Sequence, residues 1–218
     1  MDNDVVILCA GKNERLKGIV PSYYKPLMLV DGQPLIKRIV ENSLLLTESP
    51  ILIAAPENVK AICEVLGNEL CNKCKILIQP SATGLVNALS IAFSVITKNR
   101  IAIICSDNII PQTDFELIKN SKDQLMFGKL IQSDEEAFRF TRMLEDRSFI
   151  EHHSSKPLNA GGHKCWIGPL CVSKESYIKL IEDNNNISDE FIGNKLNHCG
   201  RFDFVFSTCR DIGVPESL

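Results

Sequence analysis

Short apolar runs alternate with stretches of helical periodicity through the first half of the chain. Val5 to Leu8, Ile51 to Ala55, Lys75 to Ile78 and Ile101 to Cys105 are rich in Val, Ile and Leu, the pattern of strands covered on both faces. Between them, Leu35, Ile36, Ile39, Val40 and Leu44 fall on one helical stripe, and Val59, Ile62, Cys63 and Leu66 on another. Gly84 to Ile96 adds a third helix with Leu85, Leu89, Ala92 and Phe93 on one side. This βα alternation predicts an α/β fold, a mostly parallel sheet with helices on both faces. In such sheets ligands sit beyond the carboxyl ends of the strands. The Gly11 loop and Ser106-Asp107-Asn108 both fall there and can face one pocket.

After Asp107 the pattern changes. Leu125 to Ile131, Phe138 to Leu144 and Phe149 to His152 read as strands with few long helices between them. A strand from Trp166 to Val172, helical segments from Lys174 to Glu182 and Asp189 to Leu196, and a strand from Phe202 to Ser207 complete an α+β second half. Asp183-Asn184-Asn185-Asn186 is a polar break between those helices. No repeat, low-complexity linker or composition shift divides the chain. One domain over residues 1–218 is expected, its halves (1–110 and 111–218) sharing one sheet.

Composition narrows the choice of partners. With 218 residues, 44% hydrophobic, the chain can bury a sizeable core without a structural metal. A formal net charge of -3 gives no general attraction to nucleic acid or to a membrane surface, so any polyanion must be held by local cations. The start, Met1-Asp2-Asn3-Asp4, has no basic flank followed by a long apolar stretch, and no run is long enough to span a bilayer. These features predict a cytoplasmic protein. Nine cysteines are many, but the count is odd and Cys9, Cys105 and Cys171 lie inside apolar strand patterns, so most are expected as reduced, buried thiols. Cys71-Asn72-Lys73-Cys74 has the spacing of a zinc or redox half-site, yet no second pair of Cys or His follows at similar spacing.

The candidate chemistry begins where the first strand ends. Val5-Val6-Ile7-Leu8-Cys9-Ala10-Gly11-Lys12-Asn13-Glu14-Arg15-Leu16 runs from a buried apolar strand into a cationic turn, and Tyr24-Lys25-Pro26-Leu27 brings a second cation toward the same mouth. A glycine there lets a phosphate approach the backbone, and the arginine fork can hold phosphate oxygens.

Five segments in order then resemble the sugar-phosphate nucleotidyltransferases, the group that includes the nucleoside-diphosphate-sugar pyrophosphorylases. Leu8-Cys9-Ala10-Gly11 through Arg15-Leu16 is similar to the signature loop, and Lys25-Pro26-Leu27 through Gly32-Gln33-Pro34-Leu35 to the lysine-proline segment. Gln79-Pro80-Ser81-Ala82-Thr83-Gly84-Leu85 resembles the base-recognition segment, Ser106-Asp107-Asn108 the metal-binding strand end, and Asp211-Ile212-Gly213-Val214-Pro215-Glu216-Ser217-Leu218 the closing motif. Together they cover nearly the whole chain, whereas any one alone is a weak signal.

The resemblance implies a Rossmann-like, GT-A-like core, with 1–110 as the nucleotide-binding half and 111–218 as the acceptor-binding half. It implies transfer of a nucleoside monophosphate from a nucleoside triphosphate to a sugar 1-phosphate, with release of pyrophosphate. Arg15 and Lys25 would act on the triphosphate. Leu8, Ala10, Gly11 and Lys12 would line its binding loop, and Gln79 and Gly84 would read the base. Asp107 and Asp211 would hold Mg2+, a cation suited to carboxylates and phosphates. Lys156, followed by Pro157, would meet the acceptor phosphate, and Arg139 an acidic acceptor. Taken singly, each aspartate reads equally well as a helix cap or turn residue. The string from Gln79 to Leu85 is most similar to enzymes using thymidine or uridine triphosphates, so dTTP or UTP is the expected donor.

Departures from the pattern mark the rest of the site. Asn13 and Glu14 stand where the family usually has a glycine and a small hydroxyl residue, and Phe138-Arg139 and Ser155-Lys156 where it has tyrosine-glycine and glutamate before lysine-proline. His152 and His153 lack a ligand pattern and carry no predicted role. The chain ends at the closing motif, so a compact core like the small choline-phosphate cytidylyltransferases is expected, without an added C-terminal module. Cytidylyl transfer to a phosphoalcohol or an unusual acidic sugar, and a nucleotide-binding regulatory protein, stay open as alternatives. No nucleic acid or membrane partner is expected, and a homo-oligomer is compatible with the sequence.

Overall fold

The computed structural model describes residues 2–11, 24–81, 83–137, 140–150, 162–182 and 192–212. In chain order the first half gives β1 (Asn3–Leu8), a 3-10 turn (Lys25–Leu27), the short hairpin β2 (Leu29–Val30) and β3 (Gln33–Pro34), α1 (Leu35–Ser43), β4 (Ile51–Ala54), α2 (Val59–Lys73), β5 (Lys75–Ile78), α3 (Leu85–Phe93) and β6 (Arg100–Cys105). Then come β7 (Asn108–Ile109), α4 (Gln112–Asn120), β8 (Leu125–Ile131), α5 (Asp134–Ala137), β9 (Arg142–Met143), β10 (Phe149–Ile150), β11 (His163–Ser173), α6 (Lys174–Ile181), α7 (Ile192–Leu196), β12 (Asp203–Phe206) and β13 (Arg210–Asp211).

Strand pairing makes one nine-stranded mixed sheet among the described residues. β5, β4, β1 and β6 lie side by side and parallel. β11 turns antiparallel along β6, then pairs with β9 on that same edge and with β8 on the other, and β12 closes the far side parallel to β8. Register in the parallel part follows from alternation. Val5, Ile7, Leu52, Ala54, Ala102 and Ile104 point to the layer of α1, α2 and α4, where they meet Leu35, Ile36, Ile39, Ile62, Phe115 and Ile118. Val6, Ile51, Ile53, Ile101 and Ile103 point to the opposite layer and meet Ala88, Leu89, Tyr177, Leu180 and Leu196. Both faces of these strands are therefore dry, and each fully buried Val or Ile contributes about 1.5–3 kcal/mol. The expected mixed, mostly parallel α/β core is the fold observed.

Three features differ from the sequence reading. α4 occupies Gln112–Asn120, where no helix was expected, because only Phe115 and Ile118 supply its inward stripe. The strand expected over Phe138 to Leu144 shortens to β9 and is preceded by the helical turn α5, while residues 138–139 lie outside the described part. In α2 the backbone reverses at Gly67 (φ 72°, ψ 164°), folding the segment into two helical pieces. That reversal brings the Cα atoms of Cys63 and Cys71 to 5.4 Å in a disulfide, so Cys71 pairs with Cys63 and not with Cys74. The other seven cysteines are free thiols, five of them buried.

Candidate active site

The carboxyl ends of β1, β6 and β5 face one mouth, and backbone bonds between neighbouring strands fix it. Cys9 N–H donates to the Ile53 carbonyl (2.8 Å), Ser106 N–H and Oγ both reach the Leu8 carbonyl (3.1 and 2.7 Å), and Gln79 N–H donates to the Ala54 carbonyl (2.9 Å). Strands sit about 4.8 Å apart, so Gln79 after β5 and Asp107 after β6 are separated by about three spacings, a span a nucleotide can bridge.

Tyr24 docks the next segment onto this floor, its hydroxyl donating to the Cys9 carbonyl. The 3-10 turn that follows has Pro26 at its start, which fixes one torsion there, and so directs Lys25 inward. Lys25 is only 8% exposed, rare for a lysine without a partner. Its Nζ lies 3.0 Å from Asp107 Oδ2.

Asp211 arrives from the far end of the chain by a two-residue ladder. β13 pairs antiparallel with β7, setting Asp211 opposite Asn108, and Ile212 N–H donates to the Asp107 carbonyl at 3.0 Å. Asn108 is in turn tied to β11 through its amide and the Ile167 carbonyl. Beneath the group, burial pushes the Cys105 thiol well above its usual range, Asp107 and Asp211 push it the same way, and Lys25 pulls it back. Burial likewise pushes Cys9 up to about 12. Both thiols are therefore inert walls at neutral pH, not nucleophiles.

The structure brings Lys25, Asp107 and Asp211 together, although the two aspartates lie over a hundred residues apart in sequence. Asp107 and Asp211 carry carboxylate oxygens, a ligand type that magnesium takes, and Asp107 is engaged by the Lys25 ammonium. No cluster of three or more His, Cys, Asp or Glu suited to a metal occurs among the described residues.

Leu8 and Ala10 line the floor, and Gly11 is exposed, with nothing among the described residues within 4 Å of where a Cβ would project. Gln79 is buried, and its amide nitrogen donates to the Gly84 carbonyl (3.2 Å) and to Asn87 Oδ1 (2.9 Å). Gly84 caps α3 with φ 107°, a conformation that favours glycine. Lys12, Arg15, Arg139 and Lys156 lie outside the described residues, as do Asn13, Glu14, His152, His153 and the closing residues from Gly213. Tyr24, Ser106 and Asn87 were not singled out from sequence. Their work is to hold other groups, and the sole signal for Asn87 was an amide in a mostly apolar helix that also carries Ser90.

Residues 4–151 match the family model described as nucleotidyl transferase, more than half of the chain, and the chain belongs to that family of enzymes. The bifunctional protein GlmU of Methanocaldococcus jannaschii is 28% identical over 170 residues, which cover 74% of this chain and 39% of that protein. GlmU of Methanococcus aeolicus is 32% identical over 120 residues, covering 54% of this chain and 27% of that one. The chain thus spans less than half the length of these relatives.

Solved structures agree on architecture. A UDP-glucose pyrophosphorylase complexed with UDP-glucose aligns with TM-score 0.76 at 15% identity, covering 99% of this chain and 95% of the other. A Bacillus anthracis protein assigned as a glucose-1-phosphate thymidylyltransferase aligns with TM-score 0.75 at 18% identity, covering 99% and 92%. At these identities the likeness concerns the fold. No helix among the described residues is long and apolar enough to cross a membrane.

Proposed function

We propose that the chain transfers a nucleoside monophosphate from a pyrimidine triphosphate, dTTP or UTP, to a sugar 1-phosphate. An acceptor phosphate oxygen attacks the α-phosphorus, one P–O bond forms there, the bond to the β-phosphate bridge breaks, and pyrophosphate leaves. The observation that carries this reading is the buried Lys25, 3.0 Å from Asp107 and beside Asp211, at the strand ends next to the open Gly11. Two polyanions must meet without mutual repulsion, which calls for fixed charge and alignment and for no protein nucleophile.

In this reading Asp107 and Asp211 hold Mg2+, which when bound offsets the charge of the phosphates. Lys25 presents a compact charge to the transferring phosphate, strongest in effect as charge shifts during displacement. Arg15, with Lys12 and the backbone around Gly11, grips the triphosphate. Gln79 and Gly84 meet the base, and Lys156 and Arg139 face the acceptor from residues 111–218, with 1–110 serving the nucleotide. Support for a sugar acceptor comes from the structural neighbours, a UDP-glucose pyrophosphorylase and a protein assigned as a glucose-1-phosphate thymidylyltransferase, and a cytoplasmic setting is part of the same proposal.

Pyrophosphate release with magnesium tests the reading, each nucleoside triphosphate being paired with sugar 1-phosphates and phosphocholine, and Asp107→Asn serving as control. Release that needs dTTP or UTP, a sugar 1-phosphate and Asp107 is expected. Phosphocholine is included because Phe138-Arg139 replaces the family's usual tyrosine-glycine; release with it and CTP would replace the sugar acceptor with a phosphoalcohol. Nucleotide binding with silence across the panel would favour an acceptor outside the panel or a nucleotide-binding regulatory protein.

A further inference from the structure

Tyr24 is tied into the site by both its backbone and its side chain. Its carbonyl accepts from the Leu27 N–H at 2.9 Å, which closes the turn that carries Lys25. Its hydroxyl donates to the Cys9 carbonyl just past β1. Burial raises the phenol above its usual range, and Cys9 and Glu57 push it the same way. Tyr24 therefore keeps its proton at neutral pH and serves as a donor, not a base.

The peptides at this strand end each have a direction. Ser106 N–H reaches the Leu8 carbonyl on the β6 side, and Cys9 N–H reaches the Ile53 carbonyl on the β4 side. Tyr24 also stands toward β4, near Glu57 in the turn that follows that strand. A trans peptide sets its N–H opposite its carbonyl. With the Cys9 carbonyl held by Tyr24, the Ala10 N–H points back toward β6, the side on which Lys25 and Asp107 meet. Ala10 is 7% exposed, and its N–H finds no acceptor among the described residues. Buried backbone donors are seldom left unpaired, and this one lies next to the open Gly11.

We infer that Tyr24 is a positioning residue: through the Cys9 carbonyl it aims the Ala10 N–H at an oxygen of the bound nucleotide, and through its own backbone it keeps Lys25 in step with that donor. The inference rests on the nucleotidyl-transfer reading and adds to it a residue that acts only through its neighbours. Without the hydroxyl, the peptide between Cys9 and Ala10 is free to turn about its flanking torsions. A donor that must first be reoriented contributes less than one already in place.

The test pairs one amide proton with kinetics. The full chain, carrying isotope-labelled alanine, is titrated with UTP and with dTTP in the presence of magnesium, and the Ala10 amide proton is followed by NMR. It should move downfield on binding, as an N–H does when it gains an acceptor. Tyr24→Phe keeps the ring and removes the hydroxyl. It should reduce that shift, lower kcat/KM for the triphosphate by about three- to tenfold, the range of one hydrogen bond, and leave KM for glucose 1-phosphate at its wild-type value. A merely structural role would raise both KM values together, or lower the melting temperature with kcat/KM unchanged, and either result overturns the inference. An Ala10 proton that stays in place while the wild type binds triphosphate overturns it too, and that result stands even if Tyr24→Phe folds poorly. A wild type whose Ala10 proton responds but which releases no pyrophosphate leaves the positioning role standing and counts against the transfer reading alone. Failure to bind either triphosphate overturns both.

Discussion

In the parallel part of the sheet, the middles of β1, β4 and β6 are buried on both faces, mostly by Val, Ile and Leu, and polar groups gather at the strand ends, Asn3, Asp4 and Arg100 at one end and Ser106-Asp107-Asn108 past the other. The antiparallel part around β11 is held differently. β8 approaches β11 so closely at Gly128 that an added Cβ would lie 1.9 Å from the Cys165 carbonyl oxygen. β11 also slips register between Trp166 and Leu170, where Asn108 ties to the Ile167 carbonyl. One region is stabilised by repetition, and the other by single backbone positions. Site residues should therefore be replaceable with little harm to the parallel part, while one methyl group should disrupt the other.

The largest contrast is expected from Lys25→Met. Removing the charge should lower pyrophosphate release by about 10²–10³-fold, the usual cost of losing one preorganised electrostatic group, with the melting temperature within about 3 °C of wild type. A matching collapse of stability would erase the distinction between the two regions. Gly128→Ala should act the opposite way. Overpacking a strand contact this close is expected to cost about 3 kcal/mol or more, which thermal melting would register as a fall of roughly 10 °C.

The Cys63–Cys71 link sharpens the comparison inside the first half, since it braces α2 where the helix reverses. Thiol titration of unreduced protein in denaturant should find seven free thiols. Loop-closure entropy for so short a loop puts the link at about 2.5 kcal/mol, so Cys71→Ala should melt about 5–10 °C lower. The smallest effect is at Asp114, on α4. Burial raises its carboxyl above the usual range, an effect partly offset by the hydroxyl donated from Ser207. As pH rises, the unfolded carboxyl ionises first, so the folded state loses stability above the ordinary carboxylate range and not below it. Asp114→Asn keeps the acceptor for Ser207 and should melt higher at pH 7, by no more than about 3 °C, with the advantage vanishing toward pH 3.

The parallel strands were legible in sequence because apolar runs such as Ile51–Ala54 leave little else for the chain to do. α4 was not, since two inward residues in nine make no periodic signal. Nor was the start of the strand expected from Phe138, since local pattern does not say how far a strand finds partners. At the site, Lys25, Asp107, Gln79 and Asp211 were readable through the order of motifs. The contacts that orient them were not, because a two-residue ladder such as β13–β7 has no period and Asn87 resembles any polar residue on a helix.

That ladder has a consequence for how the protein comes into being on the ribosome. Lys25 and Asp107 can meet once the first half has emerged and folded, since domains form from the N-terminal side during synthesis. The second carboxylate is added only after residue 211 has been made and β13 has found β7. Until then a nascent chain holds half of its acidic pair, so the complete charge arrangement waits until more than a hundred further residues have followed Asp107 out of the ribosome.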